Sequence, residues 1–251
     1  MRNEFWLVAA AGHCGTMWLS QVIGAQVGWS AHHELRYELS QQAWENAVSN
    51  SPQQVYWDQI GEELINYHVL DSNSWAPHEI PMVNKVVPVS RIIYLVRNGI
   101  QQIHSLATQS AAYRNLSDES FTIGSWLKTW WDIGEELPWE GTERFQKLCT
   151  LINASCYMPQ WLRAHGLNVH VYRLEDVTSS VGILSEIVTG HTQKILRHWQ
   201  FRDVNRKVVG DRRPATLWAS WTPENQQMFT AMCKDTMLEF GYWRNGYDRT
   251  H

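Results

Sequence analysis

The chain has 251 residues, with 21 Lys and Arg against 25 Asp and Glu, which gives a formal net charge of −4 at pH 7. This length fits one α/β domain or two small ones, and we expect the simpler arrangement, a single domain over residues 1–251. The lack of net positive charge argues against extensive nucleic-acid binding and favours a small anionic ligand. Four cysteines without paired spacing predict free thiols and a cytoplasmic protein. No apolar run reaches the roughly 20 residues that a membrane span needs.

The first predicted elements are a strand, a tight loop and a helix. An apolar run begins at Phe5, and an apolar-periodic segment follows from Thr16 to about Ala25. Between them, the glycines of Gly12-His13-Cys14-Gly15 allow backbone N–H groups to turn inward, and the helix N-terminus adds its dipole. The pattern predicts a phosphate or sulfate site, although a strand, turn and helix that only pack together would share it. The Lys-Ser/Thr pair of nucleoside triphosphatases is absent after the second glycine, which argues against a Mg²⁺-dependent kinase.

A second, short strand is predicted over residues 28–32, and we expect it to lie beside the first strand. His33 and Glu34 follow it directly. A carboxylate and two imidazoles, those of His32 and His33, next to an anion site suit a general base, because a hydroxyl acceptor loses its proton as it attacks. The alternative is that Glu34 caps or pairs with the next helix while the histidines are simply half exposed.

The next segments lead to the predicted centre of the sheet. A helix is expected to begin at Ser51-Pro52, a strand to cover residues 67–71, and a short helix to lie within residues 77–87. Residues 90–96 are nearly all apolar and rich in β-branched side chains, which is typical of a buried parallel strand.

Arg97 follows that strand, and Ser105 comes eight residues later on the next predicted helix. Ligands of open α/β sheets bind at the carboxyl ends of the strands, where Arg97 is expected. A guanidinium suits a phosphate, and a serine hydroxyl adds a donor. An Arg97 that pairs with a neighbouring carboxylate is the alternative.

The second half of the chain is predicted to contain a helical, Trp-rich cap over about 111–160 and a last strand over 168–173. A basic segment covers 205–214, and a final helix begins at Thr222-Pro223 and ends at Gly241. Tryptophans in the cap could stack on an acceptor, but core packing is their commoner role. Strands that alternate with helices predict an α/β fold with three α/β/α layers and a mainly parallel central sheet.

Several segments resemble signatures of the sulfotransferase superfamily. Residues 12–19 resemble its 5′-phosphosulfate loop, whose usual form is Lys or Arg, Ser, Gly, Thr, Thr, Trp, Leu. The strand followed by Arg97, Asn98 and Ser105 resembles its 3′-phosphate signature. Leu174-Glu175-Asp176-Val177 is similar to its Tyr-Glu-Asp-Leu turn. Residues 205–214 look like its closing basic segment, although a solvated surface loop would have the same composition.

The resemblance implies a P-loop-like α/β fold. It also implies in-line transfer of a sulfuryl group from 3′-phosphoadenosine 5′-phosphosulfate (PAPS) to a hydroxyl or amine, without a metal and with 3′-phosphoadenosine 5′-phosphate (PAP) as product. It implies that Gly15, Thr16 and Met17 hold the 5′-phosphosulfate, that Trp18 stacks near adenine, and that Arg97 and Ser105 bind the 3′-phosphate. The implied donor-binding residues are Gly12, His13, Cys14, Gly15, Thr16, Met17, Trp18, Arg97, Ser105, Arg206 and Lys207.

The chain departs from the superfamily at its implied catalytic residues. His13 stands where the loop usually has Lys or Arg, so it must be protonated to act as a cation. The Lys-Thr-His base segment of the cytosolic enzymes is absent, which leaves Glu34 or His33 as the base. The expected acceptor is a small-molecule, glycan or lipid hydroxyl, and the sequence leaves open whether the chain is a homo-oligomer. The alternatives are a nucleotide-binding protein of this fold without transfer activity, and a P-loop small-molecule kinase.

Overall fold

The computed structural model describes residues 3–10, 14–36, 52–72, 77–109, 144–188 and 213–243, and these residues contain five strands and nine α-helices. The strands are β1 (Phe5–Ala10), β2 (Trp29–His33), β3 (His68–Ser72), β4 (Val89–Val96) and β5 (Val169–Arg173). The helices are α1 (Thr16–Gly24), α2 (Pro52–Glu63), α3 (Ile80–Val86), α4 (Gly99–Gln109), α5 (Arg144–Ala164), α6 (Leu174–Ser179), α7 (Val181–Val188), α8 (Pro214–Ala219) and α9 (Pro223–Glu239), with a 3-10 turn at Pro77–Glu79 before α3.

The five strands form one sheet in the order β2-β3-β1-β4-β5. The pairs β1–β3, β1–β4 and β2–β3 are parallel. Every residue of β1 is buried, as expected of a central strand that is covered on both faces. The predicted α/β fold with a mainly parallel central sheet is therefore confirmed.

The expectation that β2 lies beside β1 is wrong, because β3 lies between them. Consecutive strands are neighbours in most sheets, and the prediction follows that tendency. Burial explains the observed order. Val69 and Leu70 in β3 are fully buried, whereas β2 is half exposed after its first residue and lies at the edge. At a strand spacing of about 4.8 Å, the end of β2 is roughly 10 Å from β1.

Most predicted elements are confirmed close to their expected bounds, with two differences. The Glu-Asp turn after β5 is the first part of helix α6, which begins at Leu174. The predicted cap over 111–160 lies outside the described residues up to residue 143, and its described part belongs to α5, which continues to Ala164. None of the described helices is both long and apolar enough to cross a membrane.

The chain groups into two compact units. The first comprises Met1–Ala10, Gly15–Leu95 and Leu162–Val208, and the second comprises Ala11–Cys14, Val96–Trp161 and Val209–His251. In the second unit, Trp218, Phe229 and Trp243 form an aromatic core, with ring centroids 5.6 to 6.2 Å apart. The single domain over residues 1–251 stays a prediction.

Candidate active site

The predicted anion loop ends at Gly15, which occupies the N-cap position of α1. Its φ of 77° is left-handed, a conformation that glycine adopts without a steric penalty. The Gly15 carbonyl accepts the first helical hydrogen bond, from the Leu19 N–H at 3.0 Å. A Cβ at this position would lie 2.6 Å from Cδ1 of Leu174. Both the backbone conformation and the contact with α6 therefore require glycine here.

The first turn of α1 presents backbone donors and no acidic side chain. The first N–H groups of a helix have no intrahelical acceptor, and Gly15 has no side chain to cap them. The turn can therefore bind an anion. Met17 is 53% exposed, whereas the Trp18 side chain is only 2% exposed and packs in the interior. The role of Trp18 in stacking on adenine stays a prediction.

The remaining implied donor-binding residues are described only in part. Gly12 and His13 lie outside the described residues, as do Arg206 and Lys207. Cys14 is buried and does not form a disulfide.

Arg97 and Ser105 lie in the segment that begins where β4 ends. Between them, the Asn98 side chain caps α4, because its Oδ1 accepts from the Ile100 N–H at 3.1 Å and the Gln101 N–H at 3.4 Å. Arg97 is half-buried, and Ser105 on α4 is 3% exposed. The cap fixes the start of the helix that carries Ser105. Binding of a 3′-phosphate by this pair stays a prediction.

The two candidate bases meet at the end of β2. His33 Nε2 lies 3.7 Å from Glu34 Oε1. The side chain of Glu34 is 43% exposed, and the φ of this residue, 59°, is left-handed, which is uncommon for a residue with a side chain. Its N–H donates to the Ser72 carbonyl at 2.8 Å, which holds this conformation. Strained residues of this kind concentrate at functional sites.

His32 points to a different set of partners from His33, as adjacent residues of a strand do. Its Nε2 lies 2.7 Å from Glu63 Oε2 and 3.3 Å from Ser30 Oγ. Burial acts to raise the pKa of Glu63, but hydrogen bonds from His32, Ser30 and Gln59 outweigh it and lower that pKa. This pair is a structural contact between β2 and α2, and it separates His32 from the candidate bases.

Two residues at the end of β3 were missed as site candidates. Asp71 and Ser72 are fully buried, although both are polar. The Tyr56 hydroxyl donates to Asp71 Oδ2 at 2.6 Å, and the Ser72 hydroxyl lies 2.8 Å from His33 Nδ1. The available signal was their place after Val69 and Leu70, because polar residues that close a buried parallel strand lie where ligands bind.

The described residues contain no group of three or more His, Cys, Asp or Glu side chains that could hold a metal ion. The chemistry that these residues can perform is anion binding by backbone donors and proton transfer at His33 or Glu34.

A comparison with protein-family models gave no match, and a comparison with curated proteins gave no similar sequence. The chain is similar to solved structures. One is a sulfotransferase domain from the curacin biosynthetic pathway, with a TM-score of 0.52 and 14% identity over 93% of this chain and 98% of that one. Another is a sulfotransferase from Alicyclobacillus acidocaldarius, with a TM-score of 0.51 and 13% identity over 99% of this chain and 100% of that one. The chain therefore has the fold of these sulfotransferases.

Proposed function

We propose that the chain is a sulfotransferase that moves a sulfuryl group from PAPS to a hydroxyl or amine of an acceptor. The observation that carries the proposal is Gly15 at the start of α1, the first helix after the central strand β1, in a chain with the fold of two sulfotransferases. The backbone donors of that turn suit the 5′-phosphosulfate. Arg97 and Ser105 suit the 3′-phosphate that distinguishes this donor from other adenine nucleotides.

In the proposed reaction, a base at the end of β2 removes the acceptor proton as the acceptor oxygen bonds to sulfur. The bond from sulfur to the bridging phosphate oxygen breaks at the same time, and PAP leaves with the electron pair. Glu34 or His33 is the base, and protonated His13 offsets the charge that grows on the bridging oxygen. The acceptor class is a small-molecule, glycan or lipid hydroxyl.

Calorimetric titration with PAP and with adenosine 5′-phosphate tests donor binding. PAP should bind more tightly, and Arg97→Ala should cost PAP alone roughly 2–5 kcal/mol, as for a lost partner of a desolvated charge. Lys85→Ala, which removes an exposed cation from α3, is the matched control and should change neither affinity. Equal weakening of both nucleotides by Arg97→Ala would show that Arg97 is structural.

Turnover separates the proposal from its alternatives. PAP binding without transfer to any member of an acceptor screen would favour a nucleotide-binding protein without transfer activity. The observation that supports this alternative is His13, which stands where the loop usually has Lys or Arg. Binding of ATP-Mg²⁺ with rejection of PAP would favour a kinase. If transfer occurs, it should fall as the pH rises through the pKa of His13, and His13→Lys should remove that dependence.

The base is identified by rate rather than by affinity. Glu34→Gln keeps the shape of the side chain and removes its basicity, so it should lower kcat by about 10²–10⁴-fold if Glu34 is the base, with PAP affinity nearly unchanged. A folded Glu34→Gln protein with the parental rate would eliminate Glu34. The same measurement on His33→Asn would then decide for or against His33.

A further inference from the structure

We infer that Ser72, held by Ser20, is a positioning residue that fixes the ring of His33 with its proton on Nδ1 and its basic lone pair on Nε2. The inference deepens the proposed function and rests on it for the catalytic consequence. The residues lie on three elements, because His33 ends β2, Ser72 ends β3 and Ser20 is in α1.

The three side chains form a continuous line of short contacts. His33 Nδ1 lies 2.8 Å from Ser72 Oγ, and Ser72 Oγ lies 2.6 Å from Ser20 Oγ. Ser20 Oγ donates to the Thr16 carbonyl at 2.9 Å, so the line ends in the first turn of α1. Ser72 is fully buried and Ser20 is 3% exposed. Water therefore competes little for these contacts.

The number of protons decides the direction of these hydrogen bonds. Each serine hydroxyl has one proton to donate. The Thr16 carbonyl can only accept, so Ser20 uses its proton to donate to that carbonyl. Ser72 must then donate the hydrogen bond between the two hydroxyls, and Ser20 accepts it. Because Ser72 has no second proton, it can only accept from His33. Nδ1 must therefore carry a hydrogen.

In the reverse order, Ser20 donates to Ser72 and Ser72 donates to Nδ1. Ser20 then has no proton left for the hydrogen bond to the Thr16 carbonyl. Donation from Ser72 to the His32 carbonyl is available at 3.2 Å, a longer contact than the 2.6 Å between the two hydroxyls. When Nδ1 donates to Ser72, Ser72 to Ser20 and Ser20 to the Thr16 carbonyl, all three short contacts are hydrogen bonds. This order is favoured, because each additional buried hydrogen bond is stabilising.

This order has a consequence for proton transfer. A proton taken from the acceptor hydroxyl adds to Nε2, and no hydroxyl in the line has to reorient, because Nδ1 already donates. The imidazolium that results lies 3.7 Å from Glu34 Oε1, so the carboxylate stabilises it. Glu34 thus supports His33 electrostatically while Ser72 orients it.

The tautomer can be measured without any activity. The ¹⁵N shifts of the His33 ring, recorded above its pKa, should show a protonated Nδ1 and an unprotonated Nε2 in the parent. Ser20→Ala frees the Ser72 proton and should raise the fraction protonated on Nε2. Ser30→Ala removes a serine contact of His32 and is the matched control, which should leave the His33 signals unchanged. A parent ring protonated on Nε2, or a Ser20→Ala ring identical to the parent, would overturn the inference.

The catalytic consequence has its own readout. In an acceptor assay, Ser20→Ala should lower kcat by about 10–100-fold, the effect of losing a group that orients a functional histidine, with PAP affinity unchanged. An equal loss of PAP affinity would mean that Ser20 only supports α1, which contradicts a positioning role. If the parent neither binds PAP nor transfers sulfate, the proposed function fails, while the ring signals still decide the tautomer.

Discussion

Gly15 offers a direct test of the loop geometry through the variant Gly15→Ala. An alanine with the left-handed φ of 77° costs about 1–2 kcal/mol. The new Cβ would also lie 2.6 Å from Leu174 Cδ1 and 3.4 Å from its Cδ2. Leu174 is itself buried, so it has little room to move, and the overlap should add about 1–3 kcal/mol. We expect the free energy of unfolding to fall by about 2–5 kcal/mol in total.

Gly28→Ala is the matched control for this variant. Gly28 also has a left-handed φ, of 86°, but a Cβ there would meet nothing within 4 Å. It should therefore show the backbone cost alone, and the change in unfolded-chain entropy is common to both variants. Urea denaturation of the parent and both variants gives the two losses in free energy of unfolding. The loss in Gly15→Ala should exceed that in Gly28→Ala by about 1–3 kcal/mol. In a protein that already carries Leu174→Ala, Gly15→Ala should lower the free energy of unfolding by the backbone cost alone, because the overlapping side chain is absent.

Equal destabilisation by Gly15→Ala and Gly28→Ala would refute the steric part of this reasoning. Leu174 would then be displaced without cost, and only the backbone conformation would require glycine. In either case, calorimetry with PAP on the folded Gly15→Ala protein shows whether the geometry of this turn also controls donor binding.

Three further predictions concern stability. Burial raises the pKa of Cys156 from 9.0 to about 12, so the unfolded chain loses this proton at a lower pH than the folded protein. The free energy of unfolding should therefore fall as the pH rises from 9 towards 12. Urea denaturation of the parent and of Cys156→Ala should show a less steep fall in the variant. Tyr56→Phe removes the donor to buried Asp71 and should lower the free energy of unfolding by about 1–3 kcal/mol, whereas an unchanged urea midpoint would contradict this. Thr222→Ala removes the acceptor of the Asn225 N–H at the start of α9 and should cost about 1 kcal/mol in thermal unfolding, with Thr222→Ser close to the parent.

The elements that local chemistry determines were predictable from the sequence. Gly15 before an apolar-periodic segment predicted the start of α1, and Thr222-Pro223 predicted the start of α9. The apolar, β-branched run after Ser90 predicted a buried strand, and β4 is one. Each of these signals depends on residues within a few positions of each other, so one segment of the chain is enough to recognise it.

The parts of the candidate site that depend on distant residues were not predictable. His33 and Ser72 are 39 residues apart in the chain, and their contact exists because β2 pairs with β3 rather than with β1. Sequential strands are usually neighbours, and the residue pattern within a strand does not show when the chain departs from this tendency. The sequence therefore identified His33 and Glu34 as candidates without the serine that contacts them.

Ser72 also makes the end of β2 a single cooperative unit. Its carbonyl accepts from the Glu34 N–H and its hydroxyl accepts from the His33 ring, so one residue of β3 holds two consecutive residues. Strand ends normally fray, and their amide hydrogens exchange readily with solvent. The Glu34 amide lies one residue beyond β2 and yet can exchange only when it separates from Ser72. Exchange at that amide should therefore be slow, and the candidate bases keep their geometry for as long as β3 stays folded.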